Sequence, residues 1–330
     1  MPSSKFYEAG GRKFESVEFV AADVTIGVEL EMILVPGERE DATLKNKATD
    51  ETLFARDALE FLATELYSGN SFGADCVPPF AVKGDSTIIP GAELGGGKGI
   101  EVTTPIMKNT SADSKESWRY IVPKMYEALR SNATRVGGSI EFNSTTALQV
   151  HIGLGDNKTY NLPDLKRICK AILLFEKQID TLHPTCRNPV DQFDLKNMLK
   201  SCGGNRHFAR LRVVEWLDWV DRIADIRELI RLMNSSEGMA PGTYAQRYAK
   251  HNLFSLNKFG TIEFRQAHGT IDTEVTVNWI QTVITFVTEA VATVDAEFNK
   301  WAEGGFDASV YERFGVGWTP EDVERYWGCR

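Results

Sequence analysis

Apolar and polar residues alternate with a period of two in several segments, and the segment over 24–35 is the clearest strand among them. There Glu29 and Glu31 share one face, while apolar residues at positions 28, 30 and 32 share the other. The same pattern predicts further strands over 80–105 (two strands separated by a glycine-rich connection at 91–99), 138–154 and 253–265.

Apolar residues at helical spacing predict helices between these strands. The strongest is an amphipathic helix over 163–182, in which Pro163 suits the first turn. A long apolar segment over 273–298 contains neither Gly nor Pro and predicts a mostly buried helix. Strands and helices interleave without regular βαβ spacing. The pattern therefore favours an α+β fold, with a mainly antiparallel sheet and helices packed on one face.

Four acidic residues interrupt three of the apolar strand segments. They are Glu29, Glu31, Glu101 and Glu263, and His151 lies in a further apolar strand. A carboxylate on the covered face of a sheet is costly unless a cation or hydrogen bonds compensate its charge. Same-face neighbours such as Glu29 and Glu31 lie roughly 6.5–7 Å apart, which suits two adjacent divalent cations. The pattern predicts a metal-filled cavity built on a sheet, of the oxygen-rich kind that Mg²⁺ and Mn²⁺ prefer.

Each of these features also has a structural explanation. A strand with two glutamates is in isolation more often a solvent-facing edge, and a histidine in an apolar strand is more often a hydrogen-bonded core residue. Glu263 and Arg265 share a face, and such a pair is more often a surface salt bridge of small energetic weight. Their occurrence together in one chain favours a shared site, because a metal-binding carboxylate beside a guanidinium suits a nucleoside triphosphate.

Composition narrows the classes of function. A chain of 330 residues forms one large domain or two of ordinary size. A net charge of -9 argues against a general nucleic-acid binder. No signal peptide is evident in 1–11, and the longest charge-free apolar stretch, 275–288, is too short to span a bilayer. The five cysteines show no metal-type spacing, so we expect free thiols in a reducing, cytoplasmic setting without membrane partners.

Short motifs in a fixed order give the chain a resemblance to a known family. The motifs are residues 27–31 (GVELE), 85–86 (DS), 101 with 104–105 (E, TP), 149–153 (QVHIG), 187 (R), 247–248 (RY), 252 (N), 261–265 (TIEFR) and 279 (W). In this order they resemble the amidoligase family, a branch of the carboxylate–amine ligase superfamily that includes glutamine synthetase and glutamate–cysteine ligase. The chain departs from the family at Gln149, where the family's HxHxG strand has its first histidine. His151, the second, is present.

The resemblance implies a glutamine synthetase-like catalytic domain with a curved, mainly antiparallel sheet and helices on its outer face. We expect this domain to cover 23–300, after an N-terminal lead-in over 1–22 and before a C-terminal cap over 301–330. It also implies an ATP-dependent ligase that joins a small amino-acid-like carboxylate to an amine through an acyl phosphate. Two divalent ions, Mg²⁺ or Mn²⁺, would neutralise charge between ATP and substrate.

The resemblance also implies roles for individual residues. Glu31 and Glu101 would bind one metal ion, and Glu29, His151 and Glu263 would bind the other. The implied metal role applies to His151 more directly than to Gln149, since an amide cannot replace imidazole as a strong metal ligand.

The remaining roles concern ATP and the substrates. Arg265 would stabilise the transferred phosphoryl group, and Arg187 would clamp a phosphate or the substrate carboxylate. Asp85 would attract the incoming ammonium and help remove its proton, unless it only forms a turn. Lys83 is a weaker phosphate candidate, and Asn252 would bond nucleotide or substrate or give structural support. The predicted substrate-binding residues are Asp85, Ser86, Gln149 and Trp279.

Two other functions stay open at this stage. A kinase that phosphorylates an amine or guanidine would use a related sheet, and a non-catalytic sensor would bind metal or nucleotide only. Arg265 beside Glu263 argues against the sensor, because a pure ion sensor does not need a charge that stabilises a phosphoryl group. The sequence leaves open the identity of the acid and the amine, and it also leaves open a homo-oligomer.

Overall fold

The protein has a mixed α+β fold with a large, open antiparallel sheet and packed helices. The computed structural model describes residues 6–35, 58–60, 62–63, 66, 80–94, 97–184, 208, 211–234, 249–319 and 321–323. The predicted fold class is thus confirmed, while the glutamine synthetase-like curvature and the domain boundaries stay predictions.

The elements are numbered along the described part of the chain. The strands are β1 Phe6–Ala9, β2 Arg12–Val17, β3 Thr25–Val35, β4 Ala81–Gly84, β5 Lys98–Thr103, β6 Met107–Lys108, β7 Ser139–Glu141, β8 Ala147–Gly153, β9 Lys158–Tyr160, β10 His251–Asn252 and β11 Ile262–His268. The α-helices are α1 Trp118–Val136, α2 Leu162–Thr181, α3 Val213–Arg222, α4 Ile226–Met233, α5 Leu256–Phe259, α6 Thr273–Ala292, α7 Asp295–Gly304 and α8 Ala308–Arg313.

The chain divides into two compact units. The first unit comprises Met1–Thr25, Val150–Ala267 and Asn278–Arg330, and the second comprises Ile26–Gln149 and His268–Val277. Two elements, β8 and α6, begin in the second unit and end in the first.

The second unit is built on β3. This strand hydrogen-bonds to β8 and β5, β4 continues the order beyond β5, and β6 and β7 also pair with β3. Val28, Leu30 and Met32 on β3 are fully buried, as their alternation predicts. Helix α1 contacts β6 and β7. It begins before Pro123 and continues through this proline. Ser117 caps the helix by accepting a hydrogen bond from the Arg119 amide.

The first unit contains the strand order β10-β11-β8 and the separate sheet β1-β2-β9. Its core includes an aromatic cluster around Phe175 on α2, whose ring centroid lies 4.4 Å from that of Phe314 and 5.0 Å from that of Phe306. Trp301 packs edge-on against Phe175 at 6.1 Å. Aromatic pairs at these separations stabilise beyond their buried area. The segment over 301–314 therefore packs against α2.

Helix α6 is long and apolar enough to cross a membrane by length and composition, although the apolar stretch 275–288 within it was judged too short. In this structure 56% of its most apolar window is buried inside the protein. A mostly buried core helix meets the same criteria.

A buried ion pair joins α2 to the residue before β10. Lys250 Nζ lies 2.7 Å and 2.8 Å from the two carboxylate oxygens of Asp180, and Gln266 on β11 also donates to Asp180. The side chain of Lys250 is only 2% exposed. Removing one partner of such a pair destabilises the folded protein, because the other partner is left as an uncompensated buried charge.

Lys250→Met is therefore expected to lower the free energy of unfolding by about 3–5 kcal/mol. Lys108→Met is the matched control. Lys108 lies at the same 2.7 Å from Glu116, but both side chains are more than half exposed, so its loss should cost about 1 kcal/mol or less. Urea denaturation of the three proteins measures the difference. Equal, small losses in both variants would contradict the prediction.

Candidate metal centre

The register of three strands brings two carboxylates and a cation together. Glu31 on β3 lies directly opposite Glu101 on β5, and Lys83 on β4 lies opposite Glu101 from the other side. Directly opposed residues in antiparallel strands have their side chains on the same face. Glu31 and Glu101 are buried, with 6% and 4% of their surface exposed, and Lys83 Nζ lies 2.7 Å from Glu101 Oε1. The sequence prediction that these two glutamates point inward is confirmed.

Asp85 reaches the same place through a tight turn after β4. Its backbone amide donates to the carbonyl of Gly99 on β5 at 3.0 Å, and its Oδ1 accepts hydrogen bonds from the amide and hydroxyl of Thr87. The turn lies so close to β5 that a Cβ atom on Gly99 would be 2.7 Å from the carbonyl oxygen of Asp85. Glycine at position 99 therefore allows the approach that sets Asp85 beside the strand.

Together, Glu31, Asp85 and Glu101 form the first acidic cluster, whose potential ligand atoms all lie within 4.8 Å of one another. An octahedral Mg²⁺ ion with ligands at ~2.1 Å spans ~4.2 Å between opposite oxygens, so small side-chain shifts would fit such an ion. The donors are all carboxylate oxygens, which Mg²⁺ and Mn²⁺ accept well. The resemblance implied that Asp85 binds the amine. Its position in this cluster was not predicted from the sequence.

Burial and negative charge outweigh the effect of Lys83 on Glu101. Burial raises the pKa of Glu101 above its ordinary value of 4.5, and the charges of Glu29 and Asp85 raise it further, while Lys83 acts in the opposite direction. Burial alone would lower the pKa of Lys83, but its hydrogen bond to Glu101 and the surrounding carboxylates raise it overall. A divalent cation would supply the charge that the cluster needs.

We expect the Mn²⁺ affinity of this cluster to depend on pH in a defined direction. Metal binds the ionised carboxylate and competes with its proton. The Mn²⁺ affinity is therefore highest at pH values well above the pKa of Glu101 in the folded protein. It declines as the pH falls through that pKa. Because that pKa is raised, the decline should begin above pH 4.5. Electron paramagnetic resonance of free Mn²⁺ between pH 8 and pH 5 measures it. An affinity that stays constant over this range would contradict the expectation.

Gln149 lies beside the cluster and orients one of its members. Its amide nitrogen donates a hydrogen bond to Glu31 Oε1, and its side chain is buried. A hydrogen bond of this kind fixes the carboxylate that would bind a metal. The sequence alone could not decide between a ligand and a supporting role, and this contact favours the supporting one.

In the first unit, Glu263 is held by two donors. Asn252 lies opposite it in the β10–β11 register and donates to Glu263 Oε2 at 2.6 Å, while Arg265 donates to Oε1. The amide of Asn252 is fixed in this orientation, because its oxygen accepts a hydrogen bond from the Phe254 amide. The observed bonds of Asn252 correspond to the structural-support alternative.

His151 on β8 belongs to the same group. Its Nε2 lies 4.0 Å from Glu263 Oε2. Its Nδ1 is 3.0 Å from the hydroxyl of Thr261 and 3.2 Å from that of Ser255. Hydrogen bonds on one ring nitrogen fix the orientation in which the other presents itself to a ligand. Ser255 could not be predicted as a site residue, since nothing in the sequence pattern marks this serine.

The other predicted residues have the following positions. Glu29 lies opposite Thr103 and is half-buried, and its shared ion with His151 and Glu263 stays a prediction. Ser86 is exposed in the turn after β4, and Trp279 is buried in α6, where its ring packs edge-on against His183 at 4.5 Å. Arg187 lies outside the described residues.

Comparison with known proteins gives one family. The model of the family described as "Putative amidoligase enzyme" matches residues 22–287, more than half of the 330-residue chain. No curated protein matches the chain significantly. The matched range contains every described residue of the acidic cluster and of the group around Glu263.

Proposed function

The chain belongs to the amidoligase family, and we propose that it is an ATP-dependent ligase that forms an amide between a small amino-acid-like carboxylate and an amine. The observation that carries the proposal is the first acidic cluster, in which the buried Glu31 and Glu101 on adjacent strands meet Asp85 from the turn after β4, all within the matched range. Carboxylates grouped in this way suit the divalent ion that accompanies ATP phosphates.

The proposed chemistry has two steps. A carboxylate oxygen of the acid attacks the γ-phosphorus of ATP, the bond to ADP breaks, and an acyl phosphate forms. The amine nitrogen then attacks the acyl carbon, phosphate leaves with one oxygen of the original carboxylate, and the nitrogen loses a proton. Phosphoryl transfer depends mostly on positioning and charge stabilisation, which are the properties that a metal and a guanidinium supply.

The residues would divide this work as follows. Glu31, Asp85 and Glu101 would hold a divalent ion, which supplies charge neutralisation for the phosphates, and Gln149 would orient Glu31 through its amide. Arg265, fixed by Glu263, would stabilise the charge that develops on the transferred phosphoryl group. Asp85 has two candidate roles, metal ligand and amine binding, and its proximity to Glu31 and Glu101 favours the first.

A second set of donors supports a second ion. Glu263 and His151 combine carboxylate oxygen with imidazole nitrogen, a mixture that Mn²⁺ accepts better than Mg²⁺ does. Glu29 stays the proposed third ligand. Arg187 and Lys83 stay candidates for binding phosphate, and Ser86 and Trp279 stay candidates for the substrate.

Isotope transfer tests the proposal most directly. Purified protein with ATP and Mn²⁺ is incubated with a panel of amino-acid carboxylates and amines, each acid labelled with ¹⁸O in its carboxylate. We expect ADP and phosphate to appear only when both acid and amine are present, with ¹⁸O in the released phosphate and an amide product by mass spectrometry. ADP formation with an amine alone would support a kinase instead. Metal or nucleotide binding without any turnover across the panel would support a sensor.

A further inference from the structure

Lys83 places a cation in the first acidic cluster. It is cross-strand partner to Glu101, and its Nζ lies 2.7 Å from a glutamate side chain that is only 5% exposed. The lysine side chain itself is 64% exposed, so its stem lies in solvent while its ammonium reaches a buried carboxylate. Long cationic side chains extend readily in this manner, and they can also withdraw without disturbing the core.

This ammonium and a metal ion would compete for the same carboxylate, that of Glu101. Asp85, two residues after Lys83, and Glu31, opposite Glu101, complete the set of ligand atoms within 4.8 Å of one another. A divalent ion bound to all three carboxylates would lie within a few ångströms of any ammonium still bonded to Glu101. Two cations at that separation repel each other strongly in a partly buried site. The ammonium and the metal ion therefore exclude each other.

We propose that Lys83 is a displaceable counter-cation of the first acidic cluster and a determinant of its metal affinity. In the metal-free protein Lys83 neutralises Glu101, and a divalent ion must expel the ammonium before it can bind all three carboxylates. This inference rests on the proposed function, because it takes the cluster to be a metal site. It adds that the observed free energy of metal binding equals the free energy gained from the three carboxylates minus the free energy needed to break the Lys83–Glu101 bond.

Mn²⁺ titration of the wild type, Lys83→Met and Lys83→Arg tests the proposal, with free Mn²⁺ measured by electron paramagnetic resonance. Met retains the length of the stem and removes the charge. We expect Lys83→Met to bind Mn²⁺ about tenfold more tightly, the size expected when a charge-assisted hydrogen bond no longer has to be broken. Lys83→Arg should stay close to the wild type. If Glu101→Gln no longer binds Mn²⁺, the ion measured in the wild type is the one bound by this cluster.

Lys108→Met is the matched control, because Lys108 forms a bond of the same 2.7 Å to Glu116 on the surface. Its Mn²⁺ affinity should equal that of the wild type. Equal affinities in the wild type and Lys83→Met would overturn the inference while leaving the metal site in place. Absence of Mn²⁺ binding in every protein would instead remove the metal site, and with it the main support for the proposed function.

A measurement on the unmodified protein gives an independent check. Brief acetylation by an N-hydroxysuccinimide ester, read by peptide mass spectrometry, reports how accessible each lysine ammonium is. We expect Mn²⁺ to increase labelling of Lys83 severalfold and to leave Lys108 unchanged. A labelling rate at Lys83 that does not respond to Mn²⁺ would show that the ammonium stays in place, contrary to the proposal.

Discussion

Glu101→Gln is expected to lower amide-forming turnover by about 100-fold or more without lowering the free energy of unfolding. The loss of activity follows from removing an ionised ligand from a site that would stabilise phosphoryl charge by several kcal/mol. Stability should follow a different rule. Folding raises the pKa of Glu101, so at neutral pH the ionised carboxylate is less favourable in the folded protein than in the unfolded chain. The neutral amide avoids that cost.

Turnover, Mn²⁺ affinity and urea denaturation measured on one preparation distinguish this outcome from simple unfolding. Glu116→Gln is the control, since Glu116 also accepts a bond from a lysine at 2.7 Å but is 63% exposed. It should keep both activity and stability. Wild-type turnover in Glu101→Gln would remove Glu101 from the site. A large loss of stability would mean that the glutamate is structural, and the fall in activity would then carry no information about the chemistry.

The inward-facing glutamates were predictable because strand alternation is a strict rule. Once 24–35 is recognised as a strand, Glu31 must lie on the face opposite Val28, Leu30 and Met32, and Glu101 follows from the neighbouring strand. Both side chains are buried as expected. Predicting which residues lie opposite each other on neighbouring strands also requires the strand register. The register is set by turns and packing that a single sequence does not specify.

The position of Asp85 shows where sequence reasoning ended. Residues 85–86 were identified only by resemblance, and nothing indicated that Asp85 would share space with Glu101. The structure explains the proximity by the close approach of the Asp85 turn to Gly99. A glycine inside a predicted strand is itself a sign of close backbone approach, so the signal was present at Gly99 but had no partner assigned to it.

Local structure departs from the predicted elements in several places. The strand predicted over 253–265 begins only at Ile262, whereas Leu253–Ser255 form a 3-10 helix and Leu256–Phe259 form α5. The lead-in 1–22 contains the hairpin β1–β2, in which Gly10 and Gly11 both have positive φ and form a two-residue turn. A Gly-Gly pair between short strands is a recognised hairpin signal, so this hairpin was predictable from the sequence. The helix predicted over 273–298 is instead interrupted between α6 and α7, where Val294 is extended. Asp295 there accepts a hydrogen bond from the buried Lys170, a tertiary contact that no local pattern reveals.

Arg265 is the second residue whose replacement should have a large effect. Its guanidinium donates to Glu263 and lies in a largely buried position, with 16% of its side chain exposed. A cation that stabilises a transferring phosphoryl group contributes about 10³-fold or more to turnover. We therefore expect Arg265→Met to reduce turnover by about that factor. Arg265→Lys should recover little, because an ammonium cannot reproduce the planar, multiple hydrogen bonds of a guanidinium.

The effect of Arg265 should fall on the chemical step more than on ATP binding, because charge on the phosphoryl group grows as the transition state is approached. Single-turnover rates and the affinity for a non-hydrolysable ATP analogue separate the two. Arg313→Met is the control: Arg313 bonds Glu289 at 2.8 Å in the same unit, outside the predicted site, and its loss should leave both quantities unchanged. If Arg265→Met lowered only the affinity for the analogue, Arg265 would be a nucleotide-binding residue. If it changed neither, the guanidinium would serve only to hold Glu263, and the phosphoryl-transfer role would have to pass to another cation.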